Sequence, residues 1–406
     1  MATRPRQILL SVLLASSLAI AAAPAGPWEE FPVLPGPDDQ EMPDIQGTLV
    51  VWQEYVSQYG DYDIYVADIN DLDEMLVTAI GDAGDQTNPV VYRDTVVWQD
   101  FITDDGAGDW DIRMADVSDM NEPEVFGVSN LVGVDEQRPA ISGSTVVWEE
   151  TGGVDFDIYG ADVTDPCSPL VFPVAPFELD QRRPAIYRNT VVWEDNFFGD
   201  WDLLGADIWL RDEPAQLAVA LFEKDQQGGA VSRDTVVWED NFFGDWDIYA
   251  ARISERAAPE AFAIAGTEAD ERNPDVDGHL VVWQSNRDGN WDIFGYNLVT
   301  RRIFRITDDR RDQINPAVSG STVVWQDNRD GHWSIYAAVL DGPAVVRCKT
   351  RLPGDFDGNC RVDFADLALM SSAWLECELD QPEMCGPAVG GPGRRKNGGR
   401  RPPNTL

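Results

Sequence analysis

Short apolar runs that end in tryptophan recur along this chain. V-V-W closes at Trp52, Trp98, Trp148, Trp193, Trp238, Trp283 and Trp325, a period of about 45 residues. Each run is β-branched and aromatic without polar interruption, the pattern of a strand covered on both faces. A second segment follows every copy: DYDIY, DWDIR, DFDIY, DWDLL, DWDIY, NWDIF and HWSIY, alternating large apolar with polar residues at strand period. The tryptophan and the second aromatic stand ten residues apart in the first copy, twelve in the second and eight in the other five. Constant segments on either side of a variable gap predict two strands joined by a loop. The Asp, Asn and Gly of SNRDGNW and DNRDGHW are the residues a tight hairpin needs. PAVSG-type segments upstream and RIFRITD-type segments downstream predict a third and a fourth strand.

A fixed signal also precedes each run. Thirteen residues before every tryptophan stands an Asp, at 39, 85, 135, 180, 225, 270 and 312, opening D-Q/E-x-x-P in six copies and DQQGG, with Gly229, in the fifth. Four short antiparallel strands repeated seven times predict an all-β chain, a seven-bladed β-propeller, with a solenoid of hairpins as the alternative. Glu30–Leu34 reads as a stray outer strand able to complete the last blade. NPAVSGSTVVWQDNRDGHWSIY (315–336) resembles the WD40-like repeats of TolB-type propellers of bacterial envelopes, a resemblance that covers residues 39–345. TolB has a separate N-terminal domain and one blade fewer, so its particular role does not transfer.

Composition narrows the partners. Seventy-two acids against 30 bases give a net charge of −42, and lysine occurs only at 224, 349 and 396. Phosphate binding requires the opposite sign, so nucleic acid is not an expected partner. Arg4 and Arg6, an apolar run from Ile8 to Ala23 and then Ala-Pro-Ala are laid out as a secretory signal peptide, with cleavage near Ala25; an uncleaved anchor is the alternative. A secreted or cell-surface monomer is therefore expected. Cys348, Cys360, Cys377 and Cys385 cluster while Cys167 stands alone, which in an exported chain predicts two disulfides.

The domain reading is a signal peptide at 1–25, the propeller at 26–346, a small α-helical calcium-loop module at 347–386 and a disordered basic tail at 387–406. In the third of these, Asp355, Asp357, Asn359, the Arg361 carbonyl, Asp363 and Asp366 fall at positions 1, 3, 5, 7, 9 and 12 of a calcium loop. An amphipathic helix follows from Phe364. The segment resembles the first calcium-binding repeat of dockerins, which implies one calcium ion and docking to a cohesin-type scaffold protein, often within polysaccharide-degrading assemblies. It departs from that pattern in having one repeat rather than two and Cys360 where glycine is usual. Cys348–Cys360 and Cys377–Cys385 are the favoured pairs, because the helix carries Cys377 beyond disulfide reach of Cys360.

Catalytic chemistry is hard to assemble. His279 and His332 both read as turn or hairpin residues, too few for an imidazole-bound metal or a Ser/His/Asp triad. The residue after each repeat tryptophan is Gln53, Gln99, Glu149, Glu194, Glu239, Gln284 or Gln326, so accepting a hydrogen bond, not ionising, is the shared property. The seven motif aspartates cap turns between blades, or else form a cation-attracting ring. TVVWEDNFFGDWD occurs at 190–202 and again at 235–247, and its paired phenylalanines, Phe197, Phe198, Phe242 and Phe243, replace the Arg-Asp of other hairpins. They are expected to pack on each other or to contact a glycan or protein. A non-catalytic binding propeller is the leading expectation. A carbohydrate-active hydrolase or lyase, and a TolB-like envelope protein, are the competing ones.

Overall fold

The computed structural model describes residues 28–72, 75–81, 83–103, 108–151, 153–254 and 259–340. The chain divides into two units, Met1–Val345 and Val346–Leu406. The expected signal-peptide stretch, the dockerin-like segment with its six expected calcium ligands and four clustered cysteines, and the basic tail lie outside the described residues. Cys167 is exposed and unpaired.

The described residues form seven four-stranded antiparallel sheets and no helix. Within the first blade the strands run Gln40–Gln46, Leu49–Val56, Asp61–Asp68 and Leu76–Ile80, from innermost to outermost. Five further blades repeat that order. The seventh takes three strands from the C-terminal side, Gln313–Ser319, Thr322–Asp327 and Ser334–Val339, and its outer strand, Glu30–Pro32, from the N-terminal side. Glu30 pairs with Ala338 and Pro32 with Tyr336, and the Val33 N–H donates to the Ile335 carbonyl at 2.8 Å. The closing strand is shorter than the Glu30–Leu34 run, since Val33 joins by one bond while its side chain enters the core. The N-terminal strand and the last three strands of the propeller thus share one sheet, which closes the ring.

Hydrophobic burial explains why V-V-W is the constant element. All seven tryptophans are at most 2% exposed, and each sits in an apolar cluster spanning two neighbouring blades. Trp193, for example, packs with Val147, Ile158 and Val174 of the preceding blade. Truncating such a ring to alanine costs roughly 3–5 kcal/mol. The innermost strands carry a second regularity. A register shift interrupts each one, and the residue before the motif proline has a positive φ, from 48° at Arg183 to 53° at Asn88. In the fifth blade, which lacks the proline, Gly228 takes the same conformation.

Candidate functional site

The strand order gives the ring two faces. One carries the loops between blades and the hairpins between second and third strands; the other carries the remaining turns. Seen by residue, the repeated polar side chains are engaged at the seams. The backbone N–H of Tyr62, Trp110, Phe156, Trp201, Trp246, Trp291 and Trp333 donates to Asp85, Asp135, Asp180, Asp225, Asp270, Asp312 and Asp39 of the next blade, at 2.8 to 3.3 Å. The ring of motif aspartates is accordingly distributed one per seam, each accepting a backbone hydrogen.

A deeper layer repeats the device. The N–H groups of Met42, Asn88, Arg138, Arg183, Gly228, Asn273 and Asn315 donate to Gln326, Gln53, Gln99, Glu149, Glu194, Glu239 and Gln284, at 2.6 to 3.0 Å. Those donors are the positive-φ residues of the inner strands. The left-handed turn aims each N–H out of its own sheet and toward the preceding blade, where the residue after the tryptophan receives it. Gln and Glu both serve in that bond, which needs only an acceptor oxygen. Each of the three glutamates also meets an arginine: Glu149 with Arg138 at 3.4 Å, Glu194 with Arg183 at 3.5 Å and Glu239 with Arg272 at 2.6 Å.

Buried carboxyls depart from this regularity in a few places. The second motif residue lies opposite an acid or hydroxyl in register: Gln40 opposite Glu54, Gln86 opposite Asp100, Glu271 opposite Ser285. Gln40 and Gln86 each donate to that acid at 2.9 Å, and in the sixth blade the Ser285 hydroxyl donates to Glu271 at 3.2 Å. The third blade instead sets Glu136 opposite Glu150. Burial, with the charges of Glu150 and Asp111 behind it, pushes Glu136 up to about 8, and the Ser129 hydroxyl donates to it at 2.6 Å. Burial and the adjacent Asp245 and Glu271 likewise hold Asp247 at about 8. Asp44 and Asp275 occupy inner-strand positions where the other five blades have Ala or Val. Their carboxylates accept the N–H of Val91 at 2.8 Å and Val318 at 2.7 Å, and burial raises them to about 7 and about 6.

The two imidazoles are apart. His279 lies in the turn between the first two strands of the sixth blade, and His332 in the hairpin before the third strand of the seventh, on the opposite face. Among the described residues no three His, Cys, Asp or Glu side chains group as metal ligands.

The phenylalanine hairpins have a frame shared with their neighbours. Gly199 donates to the Asn196 carbonyl at 3.0 Å and Gly244 to Asn241 at 3.0 Å, as Gly289 does to Asn286 at 3.1 Å in the sixth blade. These glycines have φ near +100°, which a side chain would strain. Asn196 and Asn241 also accept the N–H of Asp180 and Asp225 at 3.1 and 3.0 Å, fixing each hairpin to the loop that enters its blade. Within that frame Phe197 meets Phe198 edge to face at 5.2 Å, and Phe242 meets Phe243 at 5.1 Å. Stacking does not bury them: Phe197, Phe242 and Phe243 remain 45, 43 and 62% exposed. Arg287 and Arg329, at the place of Phe197 and Phe242 in the last two blades, fold back over Phe294 and Tyr336 at 3.8 and 4.2 Å.

The structure adds neighbours that the repeat pattern had hidden. Val132, Val154, Phe177 and Leu179 are exposed in the loops and hairpin of the third blade and the loop leading to the fourth, on the face of the phenylalanines. Together they make an apolar arc over the third to fifth blades. Glu178 and Glu223 are exposed in its entry loops, where Lys224 spans to the Phe242 carbonyl at 2.8 Å. The sequence signal was present in APFELD and ALFEKD, but these loops lie outside the conserved spacing.

Fold and face together define a closed seven-bladed β-propeller with an apolar sector on its loop side. No protein family is matched by the chain, and no curated protein is. Solved structures with the same fold include a Mycobacterium tuberculosis puromycin-hydrolyzing peptidase, 14% identical with a TM-score of 0.55 over 75% of this chain. The likeness takes in 53% of that peptidase, so this chain spans about half its length. The oligogalacturonate lyase of Vibrio parahaemolyticus is 9% identical with a TM-score of 0.55, over 79% of this chain and 96% of that one. TolB from Acinetobacter baumannii is 14% identical with a TM-score of 0.46, over 63% of this chain and 62% of TolB.

Proposed function

We propose that this propeller is a binding module that recognises a protein partner through the apolar arc over its third, fourth and fifth blades. The observation that carries this reading is the division of labour among the repeated residues. The carboxylates and amides hold the ring together, whereas Phe197, Phe242 and Phe243 are required by neither hairpin nor seam. Leucine and valine beside the phenylalanines suit a protein face better than a sugar, which is held by planar rings and convergent polar groups. The acidic rim favours a partner apolar at its centre and basic at its edge.

In this proposal the chain is exported, and the dockerin-like module holds one calcium ion at Asp355, Asp357, Asn359, Arg361, Asp363 and Asp366. It tethers the propeller to a cohesin-type or other surface scaffold protein. The competing reading is a polysaccharide hydrolase or lyase, and the observation that favours it is the carboxyl pair of Glu136 and Glu150, one of which keeps its proton near neutrality. Incubating the chain with a panel of soluble polysaccharides, with calcium and with manganese, separates the two. No new reducing ends and no unsaturated product is the expected result. Turnover abolished by Glu136→Gln would overturn the binding reading.

A further inference from the structure

The second blade breaks the repeat at two facing positions. In the other blades the residue paired with the core tryptophan is Tyr65, Tyr159, Leu204, Tyr249, Phe294 or Tyr336, and four of these rings stack on that tryptophan. In the second blade it is Arg113, drawn away to Asp100 at 2.9 Å. Across the outer strand pair, the partner of that residue is Ala79, Pro173, Ala218, Ala263, Arg305 or Pro32 elsewhere, and Gly127 here. No atom lies within 4 Å of where a Cβ on Gly127 would stand. A ring and a side chain are missing at one spot, and a cavity of about 380 Å³ opens there.

Its walls are chemically mixed. Asp109, Asp111, Arg113, Ser129 and Asn130 supply polar groups, and Phe126 supplies an aromatic surface. The Arg113 charge is matched by Asp100 behind it. Ser129 spends its proton on Glu136, so toward the cavity its oxygen is an acceptor. An anion would meet two carboxylates, and a simple ammonium would meet a guanidinium. A group that donates and accepts at once uses both signs, and vicinal hydroxyls are such groups. The volume falls at the small end of the range for ligand pockets.

We propose that this cavity binds a neutral, polyhydroxylated ligand, one sugar residue, with hydroxyls on Asp109, Asp111 and Arg113 and its C–H face on Phe126. The cavity borders the apolar arc at Val132, which lines it, but the proposal uses no residue of the arc and does not rest on the reading built on it.

Calorimetric titration of the full chain with methyl glycosides of glucose, galactose and xylose tests this, with putrescine and glucuronate as charged comparators. Saturable millimolar binding of at least one glycoside is expected, and none of either comparator. Arg113→Tyr/Gly127→Ala fills the cavity with residues that the first and fifth blades already use there, so the fold has precedent for both. That variant should lose binding. Asp109→Asn, which keeps an acceptor oxygen, should weaken it about tenfold. Absence of glycoside binding, preference for putrescine or glucuronate, or binding that survives both variants would overturn the proposal.

Discussion

At the scale of single residues, the surplus of acid is a structural resource before it is a chemical one. Glu194 accepts the Gly228 N–H across a seam, in a position where four other blades use glutamine. Glu194→Gln keeps that bond and loses only the half-exposed Arg183 pair at 3.5 Å, so it should cost less than about 1 kcal/mol. Glu194→Leu also orphans a seam N–H and costs about 1–3 kcal/mol; denaturant titration of both variants checks the contrast. Glu136 is the opposite case, an acid where five blades have glutamine. Glu136→Gln lets an amide face Glu150, as Gln40 faces Glu54. It should stabilise the chain at pH 8 by about 1–3 kcal/mol, and destabilisation there would contradict the pairing. Several residue-level features were not readable beforehand. An arginine in an Arg-Asp-Gly hairpin reads as a solvated charge, so the folding of Arg287 and Arg329 onto aromatic rings was invisible. The partnership of Arg113 with Gly127 depends on a cross-strand register with a shift between Ile112 and Arg113, which spacing alone does not reveal.

At the scale of elements, period and spacing made the architecture legible because every blade solves the same burial problem. The tryptophan, the preceding Asp and the variable hairpin gap fixed strand order, and the EFPVL run announced the closing strand. The apolar loops are not legible from the repeat pattern because loop composition follows no period. The closing strand has a testable consequence. Val33 is fully buried in the cluster joining the first and last blades, and Trp28 donates its indole N–H to the Ile306 carbonyl at 2.9 Å. Val33→Asp places a charge in that cluster and should destabilise by about 3–5 kcal/mol. Hydrogen exchange should rise first in the strands 313–319, 322–327 and 334–339. Uniform exchange across all blades would contradict closure at this seam. In the C-terminal segment, the proposed calcium loop predicts that Asp355→Ala removes calcium binding measured by calorimetry and leaves the propeller's thermal transition in place.

At the scale of the whole molecule, the raised carboxyls set a pH dependence. Glu136 and Asp247 stand at about 8 and Asp44 at about 7 in the folded chain, against about 4 when unfolded. The native state thus keeps protons that the unfolded chain releases, so the contribution of these groups is full below about pH 4 and is lost as the pH rises through about 7 to 8. The thermal midpoint should fall between about pH 5.5 and pH 8, less steeply in Glu136→Gln. A net charge of −42 adds self-repulsion in the same direction, which salt relieves. Against that background, the apolar side chains exposed on the loop face of the third to fifth blades have no structural use, and the proposed recognition runs through that sector. The direct test is affinity capture of secreted proteins from the source organism on three immobilised forms of the chain. These are the wild type, Phe197→Ser/Phe242→Ser/Phe243→Ser on the loop face, and Trp209→Ser/Leu210→Ser on the opposite face. One partner retained by the wild type and by the opposite-face variant, and lost from the phenylalanine variant with an unchanged thermal midpoint, is the predicted result. Equal retention by the phenylalanine variant would contradict it.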